Sequence, residues 1–263
     1  MKKIISLIIA GGLLSLAAGA VSAQDNLSGE EIAKRAHSVN KSASGIILKG
    51  QLSMKNMVNG STESRKAVVM TVTKGGLTQA LIRFTDSSYS GTTMLTVERP
   101  GKDNLQYLYL PSVGSPRQIE GSDRENNFVD TDFSNEDLGG SRIADYNYKR
   151  LADQKTGAYD CYVIERFPKN SSSKYSRHVV VIDKATMIPL NIQFYGRSGR
   201  VVKTMRAGQI RNIGNSINIP MYLEVVDIEK KRQTTLSVAA AEEKALNQGY
   251  FNRNRMSAKW AEQ

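Results

Sequence analysis

Ile217-Asn218-Ile219-Pro220-Met221-Tyr222-Leu223-Glu224-Val225 is the stretch on which the fold reading turns. Ile217, Ile219, Met221, Leu223 and Val225 alternate with Asn218, Pro220, Tyr222 and Glu224. Successive side chains of a strand point to opposite faces, so this segment carries an apolar face and a polar one. Upstream, the same period of two returns in Ile46, Leu48, Leu52 and Met54, set between Lys49, Gln51 and Ser53. Asn59-Gly60 then offers the positive φ angles of a two-residue type I′ hairpin. Val68, Met70 and Val72 follow on one face of a return strand, and Gly75-Gly76 turns the chain again toward Ala80, Ile82 and Phe84.

Further strands are predicted at Thr92 to Glu98, Leu105 to Leu110, Tyr146 to Leu151, Ala158 to Phe167 and Arg177 to Asp183. Others follow at Ile188 to Tyr195, Val201 to Ile213, Ile217 to Glu229 and Thr234 to Ala240. A dozen or so strands with short turns describe an antiparallel meander, and long strands favour an open or closed barrel over a sandwich. Asp123 to Gly140 breaks the pattern. It is polar and acidic, with Phe128, Phe133 and Leu138 as apolar anchors, and reads as a long loop with a short helix near Ser134 to Leu138.

The only longer helix predicted lies near the front. Ser28 and Glu31 form a capping box, each side chain satisfying the other's free backbone N–H. Ile32, Ala36, Val39 and Ala43 follow at helical spacing, a narrow apolar stripe suited to lying on a sheet. Ile32, Ala36 and Val39 are accordingly expected to dock this helix as a lid.

Lys2 and Lys3, the apolar run Ile4 to Val21 and the small residues of Val21-Ser22-Ala23 have the layout of a secretory signal, with cleavage expected after Ala23. Residues 24–263 then form one exported domain, expected in the periplasm. Cys161 is the only cysteine, so no intramolecular disulfide can form, and it reads as a small buried apolar residue. The chain carries a formal net charge of +11. For an exported chain that charge points to anionic membrane surfaces or acidic partners rather than nucleic acid.

Motifs for chemistry are absent. His37 and His178 are the only histidines, and no Cys or acidic residue stands at metal-ligand spacing to either. The sequence contains no P-loop, no G-x-G-x-x-G and no G-x-S-x-G. Asp130-Thr131-Asp132 starts like a calcium loop but has Asn135 at the sixth place and Ser141 at the twelfth, where Gly and Glu are required. No catalytic residue, metal or cofactor is expected, and Asp132 and Asp137 read as caps and ion-pair partners of nearby arginines.

Several blocks taken together resemble the LolA-like family of outer-membrane lipoprotein-sorting proteins. They are Leu81-Ile82-Arg83-Phe84, Gly91 to Leu95, Gln106 to Pro111, Arg117 to Ile119, and Thr131-Asp132-Phe133-Ser134-Asn135-Glu136-Asp137-Leu138. Val181 to Lys184, Ile188 to Leu190, Tyr195 to Gly199 and Val202 to Thr204 continue the likeness. It runs from about Ile46 to Met256, with Asp132, Phe133, Glu136, Asp137 and Leu138 in its most specific motif. Asp130-Thr131 and Ser87-Ser88-Tyr89 depart from the family pattern.

The resemblance implies a mostly-β, half-open antiparallel barrel with a lid helix, and a periplasmic carrier for acyl chains of lipoproteins or lipids. Leu52, Met54, Val68, Met70, Ile82, Phe84, Ile192, Phe194, Met221 and Leu223 are then expected to line an apolar cavity. An inner-membrane transporter as donor and an outer-membrane acceptor are the partners implied. The alternative is an envelope sensor or interaction module whose concave face binds a protein segment.

Overall fold

The computed structural model describes residues 25–86, 89–140 and 142–260; the expected signal segment lies outside them. The chain forms one antiparallel sheet that curls without closing. Its strands are β1 (Ile46–Asn56), β2 (Thr62–Lys74), β3 (Leu77–Phe84), β4 (Thr93–Arg99), β5 (Lys102–Tyr109), β6 (Pro116–Gln118) and β7 (Tyr146–Arg150). They continue as β8 (Gln154–Thr156), β9 (Tyr159–Pro168), β10 (Tyr175–Asp183), β11 (Pro189–Gly196), β12 (Val201–Asn212), β13 (Asn218–Asp227) and β14 (Arg232–Glu243). The spatial order β6-β5-β4-β3-β2-β1-β14-β13-β12-β11-β10-β9-β7, with β8 on β9, follows from hairpins except where β1 meets β14 and where β7 pairs with β9 past β8. The β1–β14 junction joins the two halves of the meander, and β6 and β7 are left as the free edges of a half-open barrel.

Two helices accompany the sheet, α1 (Gly29–Ser38) and α2 (Asn135–Leu138). Both begin with a capping box, Ser28 with Glu31 and Ser134 with Asp137. α1 is shorter than its apolar spacing predicts. Val39 is already extended at φ −97°, ψ 173°, and 39% exposed. It therefore lies outside the lid contact expected of it, whereas Ile32 is wholly buried and Ala36 packs beside it. The β1–β2 connection also differs from a two-residue turn. Its five residues Met57 to Ser61 contain one left-handed residue, Gly60 at φ 76°.

Cross-strand register separates the sheet's two faces. On the inner face Met54, Leu52, Phe84, Met94, Leu108, Val225, Leu223 and Leu236 gather around Ile119, Phe128 and Phe133 of the long central segment. The inner face of the other half carries Tyr162, Ile164, Val180, Ile182, Ile192 and Phe194 against Ile32 and Ala33 of α1. Met205 touches both groups, so the two clusters are one continuous lining.

The outer face holds a second core that the sequence pattern did not announce. Ile47, Val68, Met70, Val72, Leu81 and Leu95 are covered by Leu246, Tyr250, Phe251, Met256 and Trp260 of the C-terminal segment. Fully burying a side chain of this size stabilises by roughly 1.5–3 kcal/mol, so this short basic tail is an integral part of the fold. Arg83 stacks on the Trp260 ring at 4.3 Å and donates to the Met256 carbonyl at 2.9 Å.

Candidate functional site

The site is built from one cross-strand row and the segment that docks on it. Pairing places His178 beside Phe194, Phe194 beside Lys203, Lys203 beside Asp227 and Asp227 beside Arg232. Adjacent strands are about 4.8 Å apart, so Lys203 on β12 and Arg232 on β14 stand two strands apart on the inner face. The motif segment supplies a carboxylate to each. Asp137 Oδ2 receives the Lys203 ammonium at 2.7 Å, and Asp132 Oδ1 lies 3.3 Å from Arg232 Nε.

The capping geometry of α2 aims Asp137. Its Oδ2 also accepts from the Ser134 backbone N–H at 2.8 Å, and Tyr175 Oη donates to Oδ1 at 2.9 Å. Burial alone would raise the Asp137 pKa, but the Lys203 charge and these hydrogen bonds outweigh it and hold the carboxyl below the usual range. Asp132 is balanced the other way. Its burial raises the pKa despite the Thr234 hydroxyl at 2.7 Å and Arg232. Thr234 in turn accepts from the Asp132 backbone N–H at 2.9 Å.

The rest of the segment is fixed from four neighbouring strands, β2, β3, β4 and β5. Arg65, fully buried, donates to the Val129 carbonyl and lies over the Tyr89 ring at 3.5 Å. Phe128 stacks on Phe84 with centroids 5.4 Å apart. Gln106 donates to the Asn135 carbonyl at 2.8 Å, and Thr96 to the Leu138 carbonyl at 3.0 Å. Val129 sits at φ 41° and Asp130 at φ 61°. A β-branched residue at positive φ is strained, and these anchors hold it there.

Space remains between this plug and β10–β13. A cavity of about 180 Å³ is lined by Phe133, Leu138, Ile192, Phe194, Met205 and Leu223, with His178 and Tyr175 at its wall. Glu136 and Tyr146 also border a wider, polar vestibule of about 320 Å³. The vestibule is lined by Asp103, Arg124, Arg142, Lys169 and Ser173, among others. The apolar cavity therefore opens through a polar mouth between the sheet's two edges. His178 is buried among Tyr146, Tyr175 and Phe194. That burial, and Arg166 beside it, push its pKa down to about 2, so it is a neutral wall residue.

α1 closes another stretch of the gap. Its start is held by Arg150, which donates to the Leu27 carbonyl at 2.8 Å and to Asp25 Oδ1 at 2.7 Å. Its end reaches across to the opposite half, where His37 Nε2 lies 3.3 Å from Glu98 Oε1 on β4.

The expected cavity residues separate accordingly. Leu52, Met54, Ile82 and Phe84 lie under the plug, and Ile192, Phe194 and Leu223 line the remaining cavity. Met221 shares the inner face but packs with Ile46 and Ile219 in a separate cluster. Val68 and Met70 are corrected: they sit on the outer face beneath the C-terminal segment. Of the motif, Phe133, Glu136, Asp137 and Leu138 border the cavity, while Asp132 is anchored behind it. Lys203, Tyr175 and Thr234 were not singled out from sequence. For Lys203 a signal existed, a lone cation inside the apolar-flanked run Val201-Val202-Lys203.

This curled, edge-open antiparallel sheet has the LolA-like fold. It is shared with solved structures. One, described as an outer membrane lipoprotein-sorting protein domain from Vibrio parahaemolyticus, is 24% identical with a TM-score of 0.80, covering 87% of this chain and 98% of that one. A DUF1329 family protein from Desulfovibrio piger is 24% identical with a TM-score of 0.79, covering 87% and 97%. The LolA superfamily protein NE2245 from Nitrosomonas europaea is 17% identical with a TM-score of 0.66, covering 87% and 99%. No curated protein matches the sequence. A family model described as "uncharacterized protein" matches residues 76–258, and the chain belongs to that family.

Proposed function

We propose that this protein is a periplasmic carrier that shields an acyl chain, from a lipoprotein or a lipid, against the inner face of its half-open barrel. The observation that carries this reading is how that face is covered. No second sheet packs on it among the described residues; α1 and the segment 119–138 do, each tied down by its own polar anchors. Withdrawing them would expose a continuous apolar trough running from Leu52 and Phe84 to Ile192 and Phe194. Each acyl CH₂ buried there contributes about 0.8 kcal/mol, which is the driving force for loading. The polar vestibule suits the headgroup end of such a ligand. The names of two solved neighbours, a lipoprotein-sorting protein domain and a LolA superfamily protein, support the same reading. An inner-membrane transporter as donor and an outer-membrane acceptor belong to the proposal.

Binding rather than catalysis fits the chemistry of the apolar cavity, where Asp137 is paired with Lys203 and His178 is buried neutral. A protein segment is the rival cargo, because the inner face already accommodates an extended stretch of its own chain. A photo-crosslinker at Leu223 tests the choice. Leu223 lines the cavity, while Glu224 is on the opposite face, held by Arg206 and Tyr222. Lipid or lipoprotein adducts at Leu223 and none at Glu224 are the expected result. Native mass spectrometry of protein released gently from its own envelope should show bound lipid mass. Peptide adducts at Leu223, with no lipid mass, would replace the carrier by the interaction module.

A further inference from the structure

Of the six large apolar side chains that are exposed among the described residues, four occupy turns at one end of the sheet. Met57 and Val58 cap the β1–β2 hairpin, Val113 lies in the β5–β6 turn and Ile228 in the β13–β14 turn. Val58 is 73% exposed and Val113 60% exposed. The first and last of these turns are bonded to each other, the Met57 N–H donating to the Lys231 carbonyl at 2.8 Å. The β9–β10 and β11–β12 turns emerge at the same end, since Tyr175 pairs with Gly196 and Lys203 with Asp227.

Those turns are cationic. Lys169, Arg197, Arg200, Lys230 and Lys231 are exposed there, and Glu229 is the one exposed acid on them. Of the neighbouring acids, Glu63 and Asp130 flank Arg65, and Glu125 lies 3.7 Å from Arg197. Lys169, Arg200 and Lys231 have no carboxylate partner among the described residues. At the opposite end the Gly75-Gly76 and Pro100-Gly101 turns carry neither charge nor large apolar groups, and the β8–β9 connection brings one exposed cation, Lys155, and one exposed ring, Tyr159, without clustering them.

We infer that this end of the barrel docks on an anionic lipid surface, with Met57, Val58, Val113 and Ile228 entering the headgroup layer and the Lys and Arg residues on lipid phosphates. Apolar tips surrounded by cations are the arrangement an anionic bilayer selects. A soluble acidic protein would use the cations but leave four separate apolar tips unmatched. The inference stands without the carrier reading, because only outer turns are involved. If that reading also holds, Lys169 and Ser173 place the vestibule beside the docked surface.

Flotation with vesicles tests it. The full chain should bind vesicles of phosphatidylethanolamine with one-quarter phosphatidylglycerol at low salt, and bind pure phosphatidylcholine weakly. The triple variant Arg200→Ser, Lys230→Ser, Lys231→Ser should lose on the order of a hundredfold in partitioning, each cation contributing a several-fold factor. Val58→Ser with Ile228→Ser should lose binding with charge unchanged. Lys74→Ser with Lys102→Ser, exposed at the opposite end, should bind like the parent. Circular dichroism melting confirms that each variant is folded. Absence of binding by the parent overturns the inference. Equal loss in the Lys74, Lys102 variant does so too, since net charge alone would then be responsible. Indifference to the Val58, Ile228 change, together with retention on an acidic protein column, assigns the end to a protein partner instead.

Discussion

Lys203 Nζ lies 2.7 Å from Asp137 Oδ2, and side-chain exposure is 2% for the lysine and 9% for the aspartate. The pair joins β12 to a four-residue helix more than sixty positions earlier in the chain, on the face that is otherwise apolar. Two buried charges repay their desolvation only when geometry and extra hydrogen bonds are good. Here Ser134 and Tyr175 supply those bonds to Asp137. The ion pair is thus a latch that fixes where the plug sits.

Lys203→Met leaves a buried carboxylate without its cation and should cost about 3–5 kcal/mol, whereas Lys203→Met with Asp137→Leu should recover most of that. Urea unfolding of the single and double variants measures it. Asp137 has a lowered pKa when folded, so its contribution is present above the unfolded value of about 3.9. It is lost only as pH falls through the lower folded value. Asp137→Asn should flatten the acid limb of the stability curve below about pH 4. An unchanged acid limb would separate the latch from the titration.

His178 titrates in a different window. Its folded pKa is depressed to about 2 by burial, so the unfolded chain binds a proton below about pH 6.5 that the folded chain refuses. Stability from this residue is present above about 6.5 and declines as pH falls, by roughly 2 kcal/mol at pH 5. His178→Phe should remove that decline. NMR should find the imidazole of the folded parent neutral from pH 8 to pH 5; a midpoint near 6 would refute the burial argument.

The lid makes a graded prediction. Ile32 is wholly buried and Val39 exposed. Ile32→Asp should loosen α1 by about 1–3 kcal/mol and speed amide exchange across residues 29–38. Val39→Asp should stay within about 0.5 kcal/mol. Strand amides should remain protected in both. Equal exchange in the two variants would mean that α1 does not dock through Ile32.

Much of the fold could be read from local pattern because hairpin meanders keep neighbours in sequence adjacent in space. Period-two alternation located β1, β2 and β13, the Ser28 capping box located α1, and the polar break at Asp123 to Gly140 located α2. What pattern could not assign was which face of each strand turns inward. Leu52 and Val68 look alike in sequence, yet they face opposite sides, because only the paired register of β1 and β2 and the path of the C-terminal segment decide it. That segment was itself opaque, since Tyr250, Phe251, Met256 and Trp260 follow no single period. The latch was half legible: Asp137 was marked by its motif, but its partner Lys203 lies on a distant strand, brought near by the curl of the sheet.

Phe133 is the test of the plug. It is nearly buried, borders the cavity and belongs to the segment that fills the inner face. Phe133→Ala should cost about 3–5 kcal/mol while enlarging the cavity toward Phe84 and Leu108. If the segment occupies the place of an acyl chain, the variant should carry more lipid than the parent after the same gentle purification. Destabilisation alone could also let lipid in, so a control is needed from the outer face. Met256 is wholly buried there beneath the C-terminal segment, and Met256→Ala should cost about 2–5 kcal/mol without touching the cavity. Lipid gained in Phe133→Ala and not in Met256→Ala supports displacement of the plug. Equal gain in both means leakage through partial unfolding, and no gain in either means that the segment is permanent core.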